Sequence, residues 1–211
     1  MGASSPKVSL QIAILREATE VIVRNHYLHR GRTMAQLAYW ITVDGQRGGV
    51  MLFALPRLSV RFHGHHPMQL LELARLWIEP VFQGQSVRDR HGRPHPLSIA
   101  SRAIGQALRR VRGDWAKKYP HLLAIEACVA WADLSRHRGT IYRAANFNFV
   151  GLSGGKQPGR WIRPSGGVHR QHEDYMSRKA CYLFEWSKPT ILTGDANISA
   201  LSVKTRLGAG R

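Results

Sequence analysis

The sequence predicts an α/β (α+β) fold, a single domain with a mixed central sheet and helices on both of its faces. Three observations predict it. The chain has 211 residues, room for one domain. Its apolar residues recur every second position in some stretches and every third or fourth in others, so strands and helices alternate. Two nearly continuous apolar runs, residues 69–78 (QLLELARLWI) and 122–132 (LLAIEACVAWA), read as buried central strands that need cover on both sides.

The elements follow in order. Val8, Leu10, Ile12 and Ile14 alternate and open the chain as a strand. Residues 16–24 form a short helix with Ala18, Val21 and Ile22 on one side, and Gly31 offers a stop behind it. Residues 36–43, rich in aromatic and β-branched side chains, pair with 50–55 as a hairpin across Asp44-Gly45 and Gly48-Gly49. In the run 69–78, strict alternation puts Glu72 and Arg75 on opposite faces, and only a bulge would bring them together. Residues 81–96 have the composition of a loop. Residues 98–118 are the clearest helix: Ala100, Ile104, Ala107, Leu108, Val111 and Trp115 make one stripe, with Arg109, Arg110 and Arg112 largely off it. The run 122–132 ends at Asp133. Residues 139–146 read as a short helix, 151–167 as a glycine-rich stretch with a short strand at 161–163, and 180–186 as the last strand. The domain spans 1–187, and 188–211 is expected to be a weakly ordered basic tail.

The charge is lopsided. Lys and Arg number 31 against 13 Asp and Glu, a net +18, and 24 of the 31 are Arg. Such a field attracts polyanions, and a guanidinium holds a phosphate through two parallel hydrogen bonds. Nucleic acid is therefore the leading partner class, ahead of a ribosome-associated role or an enzyme of small anions. Residues 84–112 carry seven Arg and one Asp, and 136–181 carry nine Arg or Lys and two acids, interleaved with aromatics. The expected DNA contacts are Arg88, Arg90, Arg93, Arg136, Arg138, Arg143, Lys156, Arg160 and Arg163. The composition excludes a collagen-like repeat, a coiled coil and a largely disordered chain. Cys128 and Cys181 belong to no C-x-x-C pair, which excludes a disulfide framework and reads as buried reduced thiols. With no signal-peptide core and no apolar run of spanning length, the expected location is the cytoplasm, off the membrane.

Several residues suit chemistry. Asp133 is delivered by an apolar strand to its C-terminal edge, where the sites of open α/β sheets gather; a salt bridge or a helix cap is the plainer reading. His26 and Tyr27 lie at a helix end, and an imidazole shuttles protons near neutral pH. Ser98 opens the long helix, as a cap or beside an anion site. His63, His65 and His66 are either an exposed polar loop or a weak metal signal, with no nearby acid or Cys to complete a set. No G-x-x-x-x-G-K-[ST] loop is present.

The block Trp131-Ala-Asp133-Leu-Ser-Arg-His137-Arg-Gly139-Thr140-Ile141-Tyr142-Arg143-Ala144-Ala145-Asn146-Phe147, read with Asn25-His26-Tyr27, resembles the Mom-type DNA-modification proteins of bacteriophages, which are similar in fold to GNAT acyltransferases. Glu72-Leu-Ala-Arg75-Leu-Trp77 and Ser98-Ile-Ala-Ser101-Arg102-Ala-Ile-Gly105 support the resemblance, which covers about residues 20–151. It implies a transferase that adds a carbamoylmethyl group to the exocyclic 6-amino group of adenine and so protects DNA from restriction. The implied catalytic residues are His26, Tyr27, Ser101, Asp133 and Tyr142, with Arg75, Ser98 and Arg102 holding a donor. The implied partners are double-stranded DNA, an adenine flipped from the stack, and a small-molecule donor of acyl-CoA or related type. Iron is a further implied cofactor, although no spacing demands it. The sequence departs from acetyl-CoA-binding GNAT proteins in one place: Gln83-Gly84-Gln85-Ser86 and a basic stretch stand where those carry Q/R-x-x-G-x-G/A. Two other expectations compete, a GNAT-fold N-acyltransferase acting on a small amine or protein and a non-enzymatic DNA-binding accessory protein.

Overall fold

The computed structural model describes residues 5–153 and 178–186, apart from Thr33, Ser59, Gln85, residues 89–93 and Leu97; for 86–88 and 94–96 it gives the backbone alone. The strands are β1 (Val8–Ile12), β2 (Ala35–Val43), β3 (Gln46–Ala54), β4 (Leu70–Ile78), β5 (Ser86–Arg88), β6 (Pro94–Pro96), β7 (Ala127–Asp133), β8 (Asn148–Leu152) and β9 (Lys179–Glu185). The helices are α1 (Leu15–Asn25), α2 (Ile99–Lys118) and the single turn α3 (Thr140–Arg143). Seven strands form one mixed sheet in the order β1-β2-β3-β4-β7-β9-β8, and only the β4–β7 pair is parallel.

Each face of the sheet is covered by its own elements. α2 buries Ile99, Ala103, Ile104, Ala107, Leu108, Val111 and Trp115 against Leu37, Tyr39, Ile41, Met51, Phe53, Leu71 and Leu73. Its first turn is capped by the Ser98 hydroxyl, which accepts from the Ser101 N–H at 3.1 Å, and Lys117 and Lys118 complement the dipole at its end. On the opposite face α1 sets Ala18 and Ile22 on Ala38, Trp40, Val50 and Leu52. α1 does not reach the far half of that face, where Leu58 and Phe62 cover Leu70, Ala127, Val129, Cys181 and Leu183. The segment carrying Phe62 is fastened by His65, whose ring nitrogens lie 3.0 Å from Glu126 and 2.8 Å from Glu185.

The β2–β3 hairpin turns at Asp44-Gly45, both with positive φ (49° and 83°), the conformation that dipeptide favours. β1 is an edge strand, yet its outer carbonyls are occupied: Gln106 donates to Val8 O at 2.6 Å and Arg110 to Leu10 O at 3.0 Å. Among the described residues no helix is long and apolar enough to cross a membrane. Cys128 and Cys181 are buried and free, and burial pushes the Cys181 thiol up to about 12.

Several boundaries differ from expectation. Alternation ends at Ile12, because Ile14 is the residue before α1, and both side chains are exposed (61% and 64%) rather than inward. The second apolar run becomes a strand only from Ala127; Leu122 turns back to Tyr119 O and Leu123 is exposed. Residues 81–96 include a 3-10 turn (Pro80–Phe82) and the antiparallel β5–β6 ribbon rather than plain loop. The helix expected at 139–146 is one turn, followed by β8, which the composition hid. His63 and His66 are exposed, as expected, whereas His65 is half-buried with its ring nitrogens against Glu126 and Glu185. The expected strand at 161–163 and the tail at 188–211 lie outside the described residues.

Candidate active site

The site begins with a backbone irregularity. β3 pairs Leu52 with Arg75 and Phe53 with Leu73, leaving Ala74 over as a bulge. The bulge flips the parity of β4: Leu71 and Leu73 face α2, and so do Leu76 and Ile78. Glu72 and Arg75, placed on opposite faces by strict alternation, therefore share one face. A second irregularity lies beside the first. β4 and β7 are in register only from Leu70 and Ala127 to Leu73 and Ala130. Beyond that point the two strands part, and a cavity of about 900 Å³ occupies the fork. Leu73–Ile78 line one side and Trp131, Ala132 and Asp133 the other.

Three chain segments close around this fork. The first leaves α1. His26 ends the helix in extended conformation (φ −79°, ψ 139°), is only 8% exposed, and lines the cavity. The Leu28 N–H donates to its Nδ1 at 3.2 Å. That bond makes Nδ1 the acceptor, so the neutral ring carries its proton on Nε2. Burial, then the charges of Arg75, His137 and His29, hold its pKa down to about 4, so the ring is neutral at physiological pH. Tyr27 stacks on it, with centroids 4.4 Å apart. The segment is stapled to β4 twice, by the buried Arg32–Glu72 ion pair and by Arg75 Nε donating to Arg30 O at 3.3 Å.

The second segment follows β7. Asp133 is 2% exposed. Its Oδ1 accepts from the Ser135 N–H at 3.0 Å and the Ser135 hydroxyl at 2.6 Å, and its carbonyl accepts from the N–H groups of Arg136 and His137. The carboxylate thus shapes the turn that leans on the first segment: the Arg136 guanidinium lies 4.7 Å from the Tyr27 ring centre, and His137 meets the same ring edge-on. Gly139 ends this turn at φ +71°, where any Cβ would enter the ring of Tyr182, whose hydroxyl donates to Arg138 O at 2.8 Å. α3 then sets Tyr142 against Tyr182 and Phe147, and burial pushes its phenol pKa up, so the hydroxyl keeps its proton. The third segment is the start of α2, where Ser98, Ile99 and Ala100 close the cavity from the other face.

Of the residues singled out from sequence, His26, Tyr27, Arg75, Ser98, Asp133, Arg136, Arg138 and Tyr142 share this cavity. Ser101 and Arg102 do not line it. Ser101 donates its hydroxyl to Ser98 O, and Arg102 reaches Ser5 and Pro6. Arg143 lies half-buried in α3, outside the cavity lining. Arg90, Arg93, Lys156, Arg160, Arg163 and the side chain of Arg88 lie outside the described residues. The cavity adds Glu72, Trp77, Trp131, His137 and Lys179. Trp77, Trp131 and His137 sit within or beside the motifs quoted above; Lys179 carried no sequence signal. No group of three or more His, Cys, Asp or Glu suited to a metal occurs among the described residues, so iron finds no ligand set there.

Solved structures share the architecture. The aminoglycoside acetyltransferase AAC(6')-Ib in complex with coenzyme A and kanamycin aligns with a TM-score of 0.51 at 8% identity, over 85% of this chain and 95% of its own. The ribosomal-protein-S18-alanine N-acetyltransferase from Escherichia coli aligns at 0.43 and 11%, over 90% and 97%. RimL, a ribosomal L7/L12 α-N-protein acetyltransferase, aligns at 0.38 and 14%, over 71% of this chain, which spans 60% of RimL's length. The first of these alignments shows a GNAT-like fold. No curated protein matches the sequence. Residues 8–179, which hold every segment around the fork, match the Mom protein family, and the chain belongs to that family.

Proposed function

We propose that this protein is a DNA-modifying transferase that alters the exocyclic 6-amino group of adenine in double-stranded DNA by a carbamoylmethylation-like transfer, a modification that shields the DNA from restriction. The observation that carries this reading is the convergence of Asp133, His26, Arg75, Arg136 and Tyr142 on one cavity. Its volume suits a purine together with the reactive end of a donor.

The adenine amine is a weak nucleophile because its lone pair is delocalised into the ring. A carboxylate accepting its N–H returns electron density to nitrogen, and Asp133 supplies that carboxylate. The ring nitrogen beside the amine is an acceptor, and neutral His26 offers the matching Nε2–H donor. The two groups together read the pairing edge of a flipped adenine. As the amine attacks the electrophilic carbon of the donor, the bond from that carbon to the carrier breaks and its electron pair leaves with the carrier; the amine proton passes to Asp133, and the Tyr142 hydroxyl, which keeps its proton, donates a hydrogen bond to the departing atom. Tyr27 already packs against His26, Arg136 and His137. Trp131 likewise packs on Phe62, so stacking on the extruded base falls to Trp77. Arg136 and Arg138, exposed at the cavity, suit the flanking phosphates. The coenzyme A in the aminoglycoside acetyltransferase supports a donor of acyl-CoA or related type; an acyl thioester itself would leave an N-acyl group, so carbamoylmethyl transfer takes a related donor whose methylene carbon bears the leaving group.

The test is mass spectrometry of nucleosides from DNA of cells expressing the protein. The expected result is a new modified deoxyadenosine that vanishes in Asp133→Asn while DNA binding persists. Unmodified DNA beside an acylated metabolite would overturn the proposal in favour of N-acyl transfer to a small amine, the reading that the kanamycin complex favours. DNA binding with neither product would leave a DNA-binding accessory protein.

A further inference from the structure

The polar groups of the fork lie on one face of the sheet. On β7, Ala130 and Ala132 belong to the cluster under α2, whereas Val129 and Trp131 face the other way, and alternation sends Asp133 with them. On β4, Leu71, Leu73, Leu76 and Ile78 take the α2 side, which leaves Glu72, Arg75 and Trp77 on the face of Asp133. Two elements cover that face. α1 covers the half at β2 and β3, and residues 55–66, which join β3 to β4, cover the half at β7 and β9. A substrate that reaches Asp133 from this face passes between them.

The loop 55–66 is held down at three points, two of them on residues of the cavity wall. At its start Leu55 O accepts from Arg32 Nη2 at 3.5 Å, the same nitrogen that pairs with Glu72. Midway, the Phe62 ring centre lies 6.1 Å from that of Trp131. Near its end His65 sits between Glu126 and Glu185. Glu72 and Trp131 line the cavity, so the loop is fixed relative to the fork.

With Leu58 and Phe62 packed inward, Arg57, Val60 and Arg61 are turned out to solvent. From Gly45 to Leu71 the chain holds no Asp or Glu, so nothing nearby in sequence neutralises the two arginines. Elsewhere the fold pairs its arginines: Glu20 faces Arg16, Glu72 faces Arg32 and Asp114 faces Arg110. Among the described residues no carboxylate pairs with Arg57 or Arg61, and Arg61 donates only to Gly64 O, at 2.9 Å within the loop. Val60, 69% exposed, stands between them. Two free guanidinium groups that bracket an apolar side chain match a nucleic-acid backbone, which offers anionic phosphates with apolar sugar faces between them.

We propose that the outer side of residues 57–61 is a DNA-docking surface. Arg57 and Arg61 take phosphates of the duplex beside the target adenine, Val60 packs on the sugars between, and the fastening to Glu72 and Trp131 holds the duplex in register with the cavity. The proposal rests on the reading that DNA is the substrate.

The test is duplex binding without donor or turnover, so it stands apart from the assay of modified nucleosides. Cys128 and Cys181 are the only cysteines of the chain and both are buried, so Val60→Cys gives the full-length protein one reactive thiol, on the loop. Lys117→Cys places one instead on α2, at the opposite face. A saturating short DNA duplex is expected to block maleimide labelling of Val60→Cys and to leave Lys117→Cys labelling at the rate of the free protein. In Arg57→Ala and in Arg61→Ala the slope of log affinity against log salt should become shallower by about 0.9, the loss of one phosphate contact, with Lys117→Ala unchanged. All four positions are exposed, so these variants probe the surface and not the core. Labelling of Val60→Cys that the duplex does not slow, or an unchanged slope in both arginine variants, overturns the proposal. Equal protection of both thiols also overturns it, as indiscriminate coating of a basic protein, and so does a parent protein that binds no duplex. Loop-dependent binding without a modified nucleoside would leave the docking surface standing and sink the transferase reading alone.

Discussion

The two halves of the sheet are built from similar apolar residues but do opposite things. From β1 to β4 every neighbour is antiparallel, each ladder spans five residues or more, and side chains of α2 cover the edge. The β4–β7 pair is parallel and lasts four residues, and the polar groups gather where it fails. The first half is held by antiparallel ladders, one of them the β2–β3 hairpin. The second is joined through α2, and a crossover leaves the strand ends free to part. A cavity thus costs this fold little: one bulge and one abandoned ladder expose backbone and side chains that a continued sheet would bury.

The sharpest test of this contrast is Asp133→Asn, which keeps the oxygen that accepts from Ser135 while removing the charge. Modification of DNA should fall by roughly 10²–10⁴-fold in a nucleoside assay, with the circular-dichroism spectrum unchanged. Next is Glu72→Gln in the forked half. It removes the countercharge of the Arg32 guanidinium, whose Nε already has no hydrogen-bond partner. Denaturant unfolding should show a loss of roughly 3–5 kcal/mol. Activity should fall further than the folded fraction, because the staple on the His26 segment is released.

The third prediction concerns pH. The unfolded chain protonates His26 near 6.5 and the folded chain only near 4. Between those values the unfolded state holds the extra proton, so this contribution to stability is whole above about pH 6.5 and drains as pH falls towards 4, by roughly 3 kcal/mol at most. In His26→Gln the melting temperature should change less across that interval than in the parent protein. The smallest effect belongs to the closed half. Tyr39→Phe removes a hydroxyl that donates to Asp114 at 2.7 Å. It should cost about 1 kcal/mol in denaturant unfolding and leave modification per folded molecule unchanged.

What the sequence revealed was local. The stripe on α2, the Asp44-Gly45 hairpin and the apolar centres of β4 and β7 are periodic or carry turn chemistry, and the structure contains them. His26 and Asp133 could be singled out because each ends an element, and element ends are where polar groups reach a cavity. The bulge at Ala74 was not legible, since nothing in QLLELARLWI distinguishes a slipped strand from a regular one. It is imposed by the pairing with β3 and decides whether Glu72 and Arg75 meet. The setting of His65 is not legible for a similar reason: its partners are Glu126 and Glu185, the latter 120 residues away. β8 was hidden because its five half-buried residues follow a turn and lead into a glycine-rich stretch.

The covered margin at β1 has a bearing on how the chain behaves in company. A neighbouring strand recruited there would need the carbonyls of Val8 and Leu10, and Gln106 and Arg110 already hold both. Growth of the sheet from one molecule into the next is thereby discouraged at that border. At that border, assembly with another macromolecule is left to side-chain surfaces, and on a protein of this charge those select for anions.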